Sequence, residues 1–193
     1  MSDTSSMKIA GVQMDIKIME PELNLANMEK AMRETTANGA ELTVFPECAV
    51  TGYCFSSLAE AMPWGESIPG QSSKFFQHVC AETNSYVVYG TLEKEGDQLF
   101  NACVLVGPDG VIGSYRKIHL PFLGIDRFTT PGNRPFEVYD IGKIKVGMNI
   151  CYDGSFPESS RIMALDGADP VSYTHLRAHE TREDLVCRLL REK

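Results

Sequence analysis

Three polar residues stand where apolar runs end: Glu47 after LTVFP, Lys117 after VIGSYR and Cys151 after KVGMNI. A carboxylate, an ammonium and a thiol brought to one point form a nucleophile with a base and an electrostatic clamp. Each has a plainer reading when taken alone: a solvated loop carboxylate, a surface lysine on an edge strand, a small buried hydrophobe. The three lie far apart along the chain, so only a fold can join them.

The elements needed to hold them are legible in the pattern. Residues 7–14 read as a buried strand, and residues 21–38 show helical periodicity through Leu25, Met28, Met32 and Thr35, with Asn24 as N-cap and Gly39 as terminator. Residues 41–46 form a strand that stops at Pro46, and residues 52–70 are rich in turn formers. A helix over 72–83 leads into a strand at 85–91. Strands at 99–106 and 111–117 flank Gly107-Pro108-Asp109-Gly110, which is hairpin chemistry with Asp-Gly at its tip. Residues 121–135 are irregular, 138–141 and 145–150 are further strands, and 157–165 is a helix with Pro157 near its first turn. Strands and helices that alternate early, followed by a hairpin, predict an α/β layer structure around a mixed sheet. Strand ends in such sheets are where catalytic groups are usually mounted.

Composition narrows the function classes. The chain has 193 residues, 43% of them hydrophobic and 23% charged, which is ordinary globular material of about one domain. A chain of this length buries roughly 70% of its unfolded surface, so it needs no metal or disulfide to hold it together. Eighteen Lys and Arg against 26 Asp and Glu give a net charge of −8, which offers no basic field for nucleic acid or an anionic membrane. No run of apolar residues is long enough to span a bilayer, and MSDTSSMKIAGVQM lacks the basic and apolar regions of a signal peptide. The six cysteines show no CxxC and no zinc-like spacing, which predicts reduced thiols in a cytoplasmic protein.

The character of the chain changes at residue 171. The string VSYTHLRAHET back-translates to codons that resemble the end of a transposon-type sequencing adapter, Arg182 to Asp184 would hold a barcode, and LVCRLLREK resembles the adapter's other end with a change at Arg191. The expectation is a partial domain over 1–170, cut short at the C-terminus, and a non-native tail over 171–193. His175, His179 and Cys187 then carry no function. The alternative is an amphipathic helix with Leu176, His179, Glu183, Val186 and Leu190 on one face.

The segments around the three residues carry a resemblance. PECAVTGY, GSYRKIHLP and GMNICYDGSFPE, with the hairpin FNACVLVGPDGVIGSYRK and the later RIMALDGAD, are similar in kind and order to segments of the nitrilase superfamily of carbon–nitrogen hydrolases, over about residues 8–169. The resemblance implies a four-layer α-β-β-α sandwich, of which this chain holds the larger, N-terminal part. It implies Cys151 as nucleophile on an amide-type carbon, Glu47 as base and Lys117 as clamp, with the backbone N–H of Tyr152 beside Lys117 at the oxyanion. It requires no metal or organic cofactor. A thiol of pKa about 8.5 is mostly protonated at neutral pH. A unit charge about 4 Å away is worth on the order of 4 kcal/mol at an effective dielectric of 20, so Lys117 is expected to favour the thiolate.

Many members carry a second glutamate between the Lys and Cys segments. The loop LPFLGIDRFTTPGN has none, and Asp126 is the expected stand-in, or else a turn residue or a partner of Arg127. Cys151-Tyr152-Asp153 resembles the amidase and carbamoylase branches more than the Cys-Trp-Glu of nitrilases. The expected partners are therefore a small amide or N-carbamoyl compound and water, with a homo-oligomer formed partly by the region after Cys151. Tyr53, Phe55, Trp64 and Phe122 are candidates for the acyl pocket and equally for the core. Competing readings are a nitrile hydrolase or acyltransferase of the same superfamily, a Cys151–His119 dyad with His119 otherwise in a supporting role, and a truncated fragment without activity.

Overall fold

The computed structural model of the protein describes residues 6–173. The chain runs β1 (Ile9–Gly11), α1 (Pro21–Ala37), β2 (Leu42–Val44), α2 (Leu58–Ala61), α3 (Gln71–Thr83), β3 (Tyr86–Glu95), β4 (Gln98–Gly107), β5 (Gly110–Arg116), β6 (Val138–Asp140), β7 (Lys145–Asn149), α4 (Pro157–Leu165) and β8 (Val171–Tyr173). One sheet has the order β1-β2-β3-β4-β5 and the other β6-β7-β8. Strands β1 to β3 pair in parallel, and β3, β4 and β5 follow as an antiparallel meander, so the larger sheet is mixed as expected.

Side-chain alternation builds the layers. On one face of the large sheet Val87, Tyr89, Val104 and Val106 pack against Leu25, Met28 and Met32 of α1 and Phe76, Val79 and Cys80 of α3. On the other face Leu42, Val88, Cys103, Leu105 and Tyr115 meet Val146, Met148 and Ile150 of the small sheet. Outside that sheet α4 lies on β7, where Met163 fills the space a side chain at Gly147 would need. The result is helix, sheet, sheet, helix, the four layers the sequence resemblance implies. Burial on both faces is why β2 and β3 read as near-continuous apolar runs.

Some local readings change. Asn24 is not the N-cap of α1: Pro21 takes the first helical position, its fixed φ suited to a helix start, and the cap falls at Glu20. Asn24 lies fully buried inside the first turns, where its side chain donates to the carbonyls of Lys17 (2.6 Å) and Val50 (3.0 Å) and accepts from Lys17 N (2.9 Å). It thereby fastens the turn after Glu47 to the helix. β3 continues past residue 91 to Glu95, because the polar segment Lys94-Glu95 pairs with Gln98-Leu99 around Gly96 at φ 60°. In the next hairpin Gly107 pairs with Gly110, so Pro108-Asp109 rather than Asp-Gly forms the two-residue tip. Residues 124–127, within the stretch read as irregular, form a 3-10 turn. Val171–Tyr173, the start of the segment set apart by sequence, pair in parallel with β7. His175, His179, Cys187 and the rest of that segment lie outside the described residues. Among the described residues no helix is long and apolar enough to cross a membrane.

Candidate active site

Glu47 sits in the turn that follows β2. Phe45 N bonds Val88 O (2.8 Å), Gly90 N bonds Pro46 O (3.1 Å) and Val50 N bonds Gly90 O (3.3 Å), so the turn is stitched to β3 on both sides of the glutamate. That approach needs glycine at position 90: a Cβ there would lie 2.4 Å from Cys48 N and 2.7 Å from Glu47 Cα. Cys48 adopts φ 50°, a left-handed conformation that turns the chain sharply just beyond Glu47.

Lys117 continues β5, with its N–H on Asn101 O (2.8 Å) and its carbonyl accepting from Gly132 N (2.8 Å). Strand alternation sends it and Arg116 opposite ways. Arg116 makes a bidentate pair with Glu93 (2.6 and 2.8 Å) and lies over the Phe100 ring at 3.9 Å, which fixes the strand. Lys117 points into the site and is fully buried. β5 and β2 run in the same direction, so Glu47 and Lys117 both follow C-terminal strand ends at one rim of the sheet.

There Lys117 Nζ donates to Glu47 Oε1 (2.7 Å) and to Asp126 Oδ2 (2.5 Å). Asp126 comes from the 3-10 turn Gly124–Arg127, is 2% exposed, and also accepts from the Tyr53 hydroxyl (2.8 Å). Its partner is thus Lys117 rather than Arg127, whose guanidinium stands over Phe122 and Phe128. Asn101 of β4 completes the cluster: its Nδ2 donates to both Glu47 Oε1 (2.6 Å) and Asp126 Oδ1 (2.8 Å). Burial alone would pull the Lys117 ammonium down, but the two carboxyl groups reverse this and hold it above the ordinary lysine value.

Cys151 lies where β7 leaves the second sheet, at φ 46° and at the head of the 3-10 turn Cys151–Ser155. The left-handed residue is strained for a side chain with a Cβ and turns the thiol out of the strand direction. The Glu47 carboxyl and the Lys117 ammonium both act on the thiol. Its pKa is pushed up to about 12, first by burial and next by the Glu47 carboxylate, with Lys117 pulling the other way. Lys117 favours the thiolate, as expected, but burial and the Glu47 carboxylate outweigh it, and its charge is shared by two acids.

Asp153, fully buried, ties this turn to the Lys117 segment. Its Oδ1 accepts from His119 N (2.9 Å) and pairs with His119 Nδ1 (2.7 Å), while Oδ2 accepts from the Tyr115 hydroxyl (2.8 Å) and Ile150 N (3.2 Å). His119 stacks on Phe156 with ring centres 3.9 Å apart. Tyr152, between Cys151 and Asp153, is 38% exposed and meets Phe156 edge-on.

The remaining candidates disperse. Tyr53 stands at the cluster, its ring 5.9 Å from Lys117 Nζ. Phe122 is exposed at the surface of its loop, and Phe55 is part of the core around Leu92 and Leu99. Trp64 lines a separate cavity of about 260 Å³ with Pro21, Glu22, Val50 and Glu66. Among the described residues no group of His, Cys, Asp and Glu is placed to hold a metal ion, and Cys48, Cys54, Cys80, Cys103 and Cys151 form no disulfide. The sequence reading passed over Asn101 and took Asp153 only as part of the Cys-Tyr-Asp signature, not as the tie to His119 and Tyr115. Asn101 carried one signal, a polar residue inside the otherwise apolar run LFNACVLV.

A half-buried thiol beside a carboxylate, which is itself fixed by an ammonium, is an arrangement for nucleophilic attack with proton transfer to an adjacent base. The family model for carbon–nitrogen hydrolases matches residues 8–185. The chain belongs to the carbon–nitrogen hydrolase family. The resemblance read from the segments around Glu47, Lys117 and Cys151 is borne out at that level. Among curated hydrolases of this family, the chain is 45% identical over 168 residues to a nitrilase of Pyrococcus abyssi, covering 86% of this chain and 64% of the relative. It is 30% identical over 179 residues to an omega-amidase of Homo sapiens, covering 88% and 63%. It is 30% identical over 175 residues to a citrullinase of Francisella tularensis, covering 88% and 61%. The chain thus spans a little under two thirds of these carbon–nitrogen hydrolases. In fold it matches a carbon–nitrogen hydrolase from Helicobacter pylori with a TM-score of 0.81 at 23% identity, covering 93% of this chain and 64% of that one. It matches an amidase from Nesterenkonia sp. AN1, in complex with acrylamide, with a TM-score of 0.73 at 23% identity, covering 90% and 66%.

Proposed function

We propose that the protein hydrolyses an amide or N-carbamoyl bond of a small molecule through a thioester on Cys151. The observation that carries this reading is the convergence of the Cys151 thiol, the Glu47 carboxyl and the Lys117 ammonium from three separate strand ends. The raised thiol pKa favours attack with concerted proton transfer over a preformed thiolate. Cys151 Sγ bonds to the carbonyl carbon as its proton passes to Glu47. The oxygen becomes an oxyanion facing Lys117 and the backbone N–H of Tyr152. The tetrahedral adduct collapses, the carbon–nitrogen bond breaks, and Glu47 gives its proton to the departing nitrogen. Water then attacks the thioester while Glu47 takes one of its protons, and that proton returns to the sulfur as the acid leaves. Asp126 takes the place of a second acidic residue by sharing Lys117.

Amide substrates agree with Cys-Tyr-Asp at positions 151 to 153, with relatives named omega-amidase and citrullinase, and with the acrylamide bound by the Nesterenkonia amidase. Nitrile hydrolysis is the second reading, favoured by 45% identity to a protein named nitrilase. Ile162 and Leu165 on the outer side of α4 are exposed, which supports a homo-oligomeric contact after Cys151. The absence of disulfides among the described cysteines agrees with a cytoplasmic setting.

Ammonia release from a panel of small amides, N-carbamoyl amino acids and nitriles tests the reading. Release from amides or carbamoyl compounds that disappears in Cys151→Ala is the expected result. Release by nitriles alone selects the second reading, and undiminished release by Cys151→Ala refutes both.

A further inference from the structure

We infer that Asn101 is a positioning residue for the two acids of the site, holding Glu47 in the orientation and charge state in which it can take the Cys151 proton. The inference deepens the proposed function and rests on it. Asn101 is 1% exposed on β4, and both acids accept from its single amide nitrogen, Glu47 Oε1 at 2.6 Å and Asp126 Oδ1 at 2.8 Å. The amide's other end is occupied as well, since the Cys48 thiol donates to Asn101 Oδ1 at 3.7 Å. The side chain is therefore held in one orientation, with both N–H bonds aimed at carboxyl groups and its oxygen turned away.

The chemistry explains why an amide suits the place. Two carboxyl groups and one ammonium meet in a site closed to water, and one cation cannot neutralise both acids. A second cation would fix the charge but would also pull Glu47 away from its work as a base. An amide supplies two donors and no charge, so it favours the ionised acids without the full pull a second cation would exert. Lys117 and Asn101 both bind Glu47 Oε1, so the two together set the rotation of the carboxyl group about its last bond. The charged and titratable groups that face this cluster are Lys117 from the end of β5, Asp126 and Tyr53 from the loops, Cys48 from the turn after β2, and Cys151 from the turn after β7. Among these neighbours Asn101 alone donates to both acids without carrying charge.

The test is the pH dependence of Cys151 alkylation by iodoacetamide, resolved by peptide mass because Cys54 is exposed. In this reaction the sulfur bonds to the methylene carbon, iodide leaves, and the thiol proton goes to Glu47. A protonated Glu47 could not accept the thiol proton, so the rate in the parent protein is expected to fall towards acid pH. Asn101→Leu, similar in volume but without donors, should slow Cys151 at neutral pH by about tenfold or more and move the fall to higher pH by roughly one unit. Asn101→Asp, which adds a third acid, should move it the same way and keeps the test open if the leucine variant does not fold. Thermal unfolding of each variant separates a shifted profile from a broken fold. A parental profile in a folded variant overturns the inference. Cys151→Ala and Glu47→Gln run alongside: undiminished turnover by Cys151→Ala sinks the proposed function itself, whereas dead controls with unshifted Asn101 variants sink only the role of Asn101.

Discussion

Glu47 Oε1 and Lys117 Nζ, 70 positions apart, meet at 2.7 Å with both side chains closed off from water. A buried pair of this kind is costly to assemble, and removing the ammonium, which Glu47 shares with Asp126, leaves both acids uncompensated. In Lys117→Ala, Glu47 and Asp126 would face each other without their shared ammonium. Loss of Cys151 chemistry is therefore expected together with a loss of about 3–5 kcal/mol in stability, read by denaturant unfolding.

Glu47→Gln keeps the shape of the site and removes the proposed base. Turnover should drop by about 10² to 10⁴, the range for general acid–base catalysis, with the melting temperature little lowered because Lys117 retains Asp126. A variant with near-parental turnover would place the proton acceptor elsewhere.

His119 separates two mechanisms. Its Nδ1 is engaged by Asp153 and its ring by Phe156, so it braces the segment between Lys117 and the turn that starts at Cys151. His119→Ala should retain acylation, measured as a burst of amine or ammonia release, while Lys117→Ala abolishes it. The reverse outcome would support a cysteine–histidine dyad.

Gly90 tests the backbone that carries Glu47. Gly90→Ala puts a Cβ within 2.4 to 2.7 Å of three backbone atoms in residues 46–48, which have no freedom to yield. A cost of roughly 1–3 kcal/mol and a large fall in turnover are expected together, because the strain falls on the turn that carries Glu47.

Buried thiols set an alkaline limit to stability. Burial pushes Cys80 and Cys151 up to about 12 from an ordinary 9.0, and Cys48 and Cys103 also rise. Above about pH 9 the unfolded chain releases protons that the folded chain retains, so the unfolded state binds fewer of them and stability falls with rising pH. The melting temperature should decline from about pH 9 towards pH 12. Cys80→Ala should soften the decline.

The fold was readable where periodicity and punctuation agree. Helix α3, the strands around Pro108-Asp109 and helix α4 behind Pro157 fall close to their expected bounds, because apolar spacing and proline act locally. Asn24 misled because its chemistry suits a cap, while Pro21 decided the helix start and tertiary contacts with Lys17 and Val50 claimed the side chain. The end of β3 was hidden by charged residues whose partners lie across a hairpin. At the site, Glu47, Lys117 and Cys151 stood out as polar ends of apolar strands. Asn101 and Asp153 did not, since their meaning lies in contacts with residues far away in sequence.

The most direct measurement is intact-protein and peptide mass after brief exposure to a slowly turned-over amide or N-carbamoyl substrate and an acid quench. The expected result is a mass increase equal to the acyl or carbamoyl group, carried by the peptide holding Cys151 and absent from Cys151→Ala. Hydrolysis of the substrate with no adduct on that peptide, undiminished in Cys151→Ala, would contradict a thioester route.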